Sequence, residues 1–82
     1  MSYQLVKEAV PSADYKVRVL FRNGMRGIYD CKPLLDNAFW SPLRNVDFFN
    51  HAHAECGTIV WNDEIDISPE TVWEDCEFEK TS

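Results

Sequence analysis

Residues His51-Ala52-His53-Ala54-Glu55-Cys56 hold the one concentration of metal-ligand side chains in the sequence. On an extended strand His51, His53 and Glu55 fall on one face, and imidazole with carboxylate suits zinc or another divalent ion. A closed zinc site draws ligands from elsewhere in the chain as well, and no second H-x-H and no C-x-x-C is present. The expectation is a solvated strand face with no metal and no cofactor, His51 and His53 standing only as weak metal candidates. Asn62-Asp63-Glu64-Ile65-Asp66 offers oxygen ligands for calcium, but without EF-hand spacing or its glycine it reads as an acidic turn.

Catalytic patterns are missing. The chain has no G-x-S-x-G, no H-E-x-x-H, no phosphate-binding loop and no dinucleotide fingerprint. Its carboxylate pairs stand in no recognisable order with a histidine. Cys31 or Cys56 as a nucleophile needs a depressed pKa, which acidic surroundings oppose. A non-enzymatic domain is expected.

Two features point instead to binding. Residues 62–82 carry eight Asp/Glu against Lys80 alone, a balance of −7, while residues 1–44 carry seven Lys/Arg against four acids. Such a surface repels phosphate backbones but suits a basic protein, since complementary charge speeds encounter. Glu70, Glu74, Asp75, Glu77 and Glu79 are the candidate contacts. Acids also simply keep small domains soluble. The second feature is the aromatic set Phe39, Trp40, Phe48, Phe49, Trp61 and Trp73, most of it expected in the core. Trp40, on the irregular stretch before Ser41-Pro42, is the candidate exposed anchor, because exposed aromatics mark partner sites.

The elements that must position these groups belong to one domain, residues 1–82, with an ordered core expected over about 3–76 and a flexible tail at 79–82. A chain this short buries only about 60% of its unfolded surface. Three cysteines without disulfide-framework spacing fit a reducing compartment. The N-terminus has no basic segment leading into an apolar run, and no apolar stretch approaches membrane-spanning length. A cytoplasmic protein is expected, with no membrane and no direct nucleic-acid contact.

Residues 3–10 read as a first strand and Pro11-Ser12-Ala13-Asp14 as a turn. Strict alternation in residues 15–21 predicts a strand with Tyr15, Val17, Val19 and Phe21 inside. Asn23-Gly24 predicts a two-residue hairpin turn. That register sets Val19 opposite Ile28 and buries Ile28 on the returning strand, residues 25–30. A helical turn is expected at Cys31–Leu35 and another after an Asn45 cap. Residues 51–55 and Thr58–Trp61 read as short strands around a Cys56-Gly57 turn. Ser68-Pro69-Glu70 opens a last helix that carries Val72, Trp73 and Cys76 toward the core. The pattern is α+β: a small, mostly antiparallel sheet built around a hairpin, with one or two short helices packed on one face.

These motifs and their order resemble a known family. Phe21-Arg22-Asn23-Gly24 ahead of Asp30 and Pro33-Leu34-Leu35 is similar to its first segment. Phe39-x-x-Pro42-Leu43-Arg44 followed by Phe48-Phe49 is similar to its second. Gly57-Thr58-Ile59-Val60-Trp61, then Ile65-Asp66-Ile67-Ser68-Pro69-Glu70 and Trp73-Glu74, is similar to its ending. The family is the small bacterial group known as domain of unknown function 2442, and the resemblance covers about residues 3–75. Asn62-Asp63-Glu64 stands where the family usually has Pro-Asn-Gly, so an altered turn is expected. The family has no established catalytic residues, and some members are regarded as antitoxins of toxin–antitoxin pairs. No helix-turn-helix pattern follows the resemblance here, which argues against direct DNA binding.

The resemblance and the charge distribution together imply a protein-interaction domain, antitoxin-like, whose acidic end meets a basic, toxin-like protein. A homodimer through a strand edge or the aromatic cluster is a further expectation. The alternative is a small-ligand or metal-sensing regulatory domain.

Overall fold

The alternation from Lys16 to Phe21 makes a strand with one apolar face. In the computed structural model, which describes residues 3–79, it is β2 (Lys16–Phe21), with Val17, Val19 and Phe21 almost wholly buried. It pairs antiparallel with β3 (Arg26–Asp30). The turn between them differs from the expected one. Phe21 N–H donates to the Met25 carbonyl at 2.8 Å and Gly24 N–H to the Phe21 carbonyl at 2.9 Å, so three residues, Arg22-Asn23-Gly24, form the loop. Gly24 closes it at φ 91, as in hairpins whose third loop residue is left-handed.

That extra loop residue slips the register by one position. Val19 stands opposite Gly27, and Val17 opposite Tyr29. A one-residue slip exchanges the faces of a strand, so Tyr29 enters the core at 4% exposure while Ile28 turns to the outer face, half-buried. The expected burial of Ile28 is therefore corrected.

The first strand, β1 (Val6–Ser12), starts and ends later than expected and pairs antiparallel with β2, with an irregularity between Val6 and Glu8. Pro11 sits within it, which an edge strand tolerates because the missing N–H costs no ladder bond. The turn into β2 is correspondingly tight. Asp14 and Tyr15 adopt left-handed φ of 64 and 58, a conformation costing a bulky residue about 1–2 kcal/mol. Tyr15 is held there by its ring, edge-on to Phe49 at 5.3 Å, and by its hydroxyl, which donates to the Arg44 carbonyl at 2.8 Å.

Residues 32–44 run as two 3-10 segments, Lys32–Asp36 and Ala38–Arg44. Arg44 staples them: Nε and Nη2 both donate to the Leu35 carbonyl, at 2.9 and 2.7 Å. Asn45 then caps α1 (Val46–Phe49), accepting from the Asp47 and Phe48 N–H groups. A second, two-stranded sheet follows: β4 (His53–Glu55) and β5 (Thr58–Val60), joined by Cys56 and Gly57, both at positive φ. Asn62 Oδ1 accepts from the Glu64 and Ile65 N–H groups at 2.9 and 2.8 Å. One asparagine side chain thus organises the turn that lacks the family's glycine. Ser68 caps α2 (Pro69–Asp75), accepting from Thr71 N–H at 3.2 Å, with Pro69 in the first turn.

The chain then adds a strand that no sequence pattern predicts, β6 (Glu77–Phe78), antiparallel to β3. The larger sheet has the order β1-β2-β3-β6. Its inner face joins α1, α2 and β5 in one core through Val17, Phe21, Phe49, Ile59, Trp61 and Val72. Trp61 Nε1–H donates to the Phe49 carbonyl at 3.1 Å, and the Thr58 hydroxyl donates to the Ile67 carbonyl. The fold is α+β, with its helices on one face of the antiparallel sheet. No helix among the described residues is long and apolar enough to cross a membrane.

Candidate partner-binding surface

Because both helices and the small sheet cover the inner face, the outer face of β1-β2-β3-β6 carries no described element. The register fixes what it displays. Val10, Arg18, Ile28 and Glu77 form one cross-strand row, and Glu8, Leu20 and Arg26 another. Glu79, whose N–H donates to the Arg26 carbonyl at 2.9 Å, extends the second row. Basic side chains thus stand on the two central strands, and acids at the margins.

The five candidate acids are all exposed, but they divide between places. Glu70 and Glu74, one helical turn apart, share a face of α2. Glu79 borders the outer sheet face beside Arg18 and Arg26. Asp75 and Glu77 flank the junction of α2 and β6, where they line a cleft of about 410 Å³ with Lys16, Ile28, Tyr29, Asp30, Pro33 and Leu34. The cleft exists because β6 stops short: its ladder with β3 reaches only Ile28↔Glu77, leaving Tyr29 and Asp30 on an open strand edge.

Charges in the cleft are unevenly satisfied. Asp30 is committed, accepting from Lys32 N–H at 2.9 Å and lying 3.8 Å from the Lys32 ammonium, with Lys16 as its cross-strand neighbour. Asp75 and Glu77 have no ion-pair partner among the described residues. Burial, then the charges of Cys31, Asp75 and Cys76, push the Tyr29 hydroxyl up to about 12. Burial raises the Cys31 thiol to about 12, with Asp30 adding to the effect, and the Cys76 thiol to about 11. Both thiols move in the opposite direction from that which activates a nucleophile. Cys56 is exposed.

Trp40 is half-buried rather than displayed. It stands edge-on to Phe39 at 4.9 Å and 6.2 Å from Trp61. The exposed ring is Phe39, at 56%. The histidines do not share a strand face. His51 precedes β4 and stacks on Phe48 at 6.2 Å, whereas His53 lies in β4 with Nε2 3.5 Å from Glu55 and Nδ1 2.8 Å from the His51 carbonyl. No group of three or more His, Cys, Asp or Glu side chains converges among the described residues.

Sequence reasoning missed Tyr29, Ile28 and Lys16 as cleft residues. Their grouping depends on the hairpin register, which the two-residue turn expected for Asn23-Gly24 concealed, and on β6, too short to carry a period. The motif residues themselves turn out to be framework. Leu43 is core, Arg44 staples a loop, Gly57 makes a turn and Trp61 ties α1 to β5.

A family model described as protein of unknown function (DUF2442) matches residues 6–78. The chain belongs to that family. Comparisons with curated proteins and with solved structures gave no match.

Proposed function

We propose that this chain is a non-enzymatic protein-interaction domain whose acidic surface, Glu70, Glu74, Asp75, Glu77 and Glu79, receives a basic protein in the cytoplasm, in the manner of an antitoxin neutralising its toxin. The observation that carries the reading is the placement of these five acids. All are exposed, and Asp75 and Glu77 border a cleft with no cation partner among the described residues. Unpaired surface acids cost little when solvated and become favourable when a cationic surface meets them. Self-association through a strand edge is the weaker reading. Pro11 and the irregularity near Val6 blunt β1, and β6 offers only two residues. The metal-sensing alternative needs a shared face for His51 and His53, and their rings are engaged separately.

The test is a binding titration of a fluorescent Lys/Arg-rich peptide at 50 and 500 mM salt, with a Glu-rich peptide of equal length for comparison. Saturable binding of the basic peptide alone is expected. It should weaken at high salt, because exposed charges are screened beyond roughly 3–10 Å as ionic strength rises. Replacing Glu74, Asp75, Glu77 and Glu79 by their amides should abolish binding while leaving the fold intact. Equal binding by that variant makes the acidic end a solubility feature.

A further inference from the structure

The cleft at the β3 edge has more than acids to recommend it. Tyr29 is only 4% exposed. Its hydroxyl takes no hydrogen bond from a described residue, in contrast to Tyr15, which donates to the Arg44 carbonyl. Yet no sealed side-chain polar atom among the described residues lacks a partner. The Tyr29 hydroxyl, without a partner among the described residues, is therefore not sealed, and Tyr29 is one of the residues lining the cleft. The same cleft is lined by two carboxylates without an ion pair among the described residues, Asp75 and Glu77, by Lys16 and Asp30, and by an apolar wall of Ile28, Pro33 and Leu34.

We propose that this cleft receives a single arginine side chain of the protein partner, the guanidinium held by Asp75 and Glu77 with one N–H to the Tyr29 hydroxyl, and the methylene stem lying along Ile28, Pro33 and Leu34. Three acceptors of two kinds suit a rigid planar fork with five donors better than a point-charge ammonium. A half-apolar wall suits a stem that is buried while its head stays polar. The volume of about 410 Å³ lies within the range of sites that enclose small groups. Lys16 also lines the cleft, but the one cation stands against three carboxylates there, Asp30, Asp75 and Glu77, so the cleft stays acidic. The proposal rests on the reading that the partner is basic, and it names the group that is read.

The experiment is a two-dimensional amide NMR titration with a blocked Gly-Arg-Gly tripeptide, beside blocked Gly-Lys-Gly and Gly-norleucine-Gly. Shifts confined to residues 28–34 and 75–77 are expected, with arginine favoured over lysine and norleucine inert. D75N and E77Q should each weaken binding about tenfold, and Y29F, which keeps the buried ring, roughly fivefold. D63N/E64Q, at exposed acids of the Asn62 turn outside the cleft, should bind as the parent does. Equal binding of lysine and arginine, shifts on α2 alone, or indifference to D75N and E77Q would overturn the arginine cleft. If the tripeptide fails while a longer basic peptide binds and the quadruple amide variant does not, the cleft falls and the interaction reading stands. If neither ligand binds, both fall.

Discussion

Gly57 should be the most costly glycine to replace, and the structure says by how much. Its φ is +80, and a Cβ built there stands 2.8 Å from Leu5 Cδ2, 3.1 Å from Leu5 Cβ and 3.2 Å from Leu5 Cγ. Alanine therefore meets two penalties. The left-handed backbone costs about 1–2 kcal/mol, and forcing Leu5 away costs about 1–3 kcal/mol more. A total of roughly 3 kcal/mol is a large share of the 5–15 kcal/mol that holds a domain together. Gly24 supplies the internal control, since its φ is +91 but a methyl group added to it would meet nothing within 4 Å. Gly24→Ala should lose only the backbone part. For a domain of this size 1 kcal/mol corresponds to about 4–8 °C in Tm. On that scale Gly57→Ala should melt roughly 12–24 °C below the parent and Gly24→Ala roughly 4–16 °C below. Urea unfolding should show the same order. In a Leu5→Ala background, which removes the Cδ2 and Cγ contacts and keeps only the Cβ at 3.1 Å, the cost of Gly57→Ala should shrink toward that of Gly24→Ala. Equal costs for the two glycines in the parent background would refute the contact with Leu5 as the cause.

Other substitutions follow from single contacts. Trp61→Phe removes the indole donor from the Phe49 carbonyl and should cost roughly 2 kcal/mol by chemical denaturation. Ser68→Ala removes the cap of α2 and should cost about 1 kcal/mol. Native protein should release one thiol equivalent to a disulfide reagent, from exposed Cys56, and all three once unfolded. The raised thiols also set a pH dependence. Cys31 and Cys76 move from 9.0 to about 12 and about 11, so above pH 9 the unfolded chain loses protons that the native state keeps. Stability should be unaffected by these groups at pH 6–8 and fall between pH 9 and 11, with a limiting slope of about 1.4 kcal/mol per pH unit for each thiol. A flat alkaline limb in urea midpoints would contradict that.

Local physics made much of the fold readable. The alternation of β2, the Asn45 and Ser68 caps and Pro69 at the helix start each specify a structure within a few residues, and each forms as read except at Tyr15, which falls in the left-handed turn before β2 and is only partly buried. The register of the hairpin was not local in this sense. Asn23-Gly24 is compatible with a loop of two or three residues, and the choice falls to which partner of Val17 packs better inside, Tyr29 or the polar Asp30 beside Ile28. The slip seats Tyr29 and leaves Asp30 outside. Nor was β6 legible, since two residues carry no period and the strand forms only because α2 ends beside the open edge of β3. The acids of the candidate surface could be named from composition alone. Their division among helix, cleft and sheet margin depends on α2, β6 and the slipped register, which is why the cleft could not be foreseen.

Whether the acidic end is a recognition surface decides the proposed function. Capture of proteins from the organism's own lysate on immobilised parent domain, beside the Glu74, Asp75, Glu77 and Glu79 amide variant, at 50 and 500 mM salt, tests this most directly. The expected result is one basic protein, identified by mass spectrometry and then shown to bind as a purified component. It should be retained by the parent at low salt, lost at high salt and absent from the variant. The same basic protein retained equally by both domains, or nucleic acid retained in its place, would contradict it.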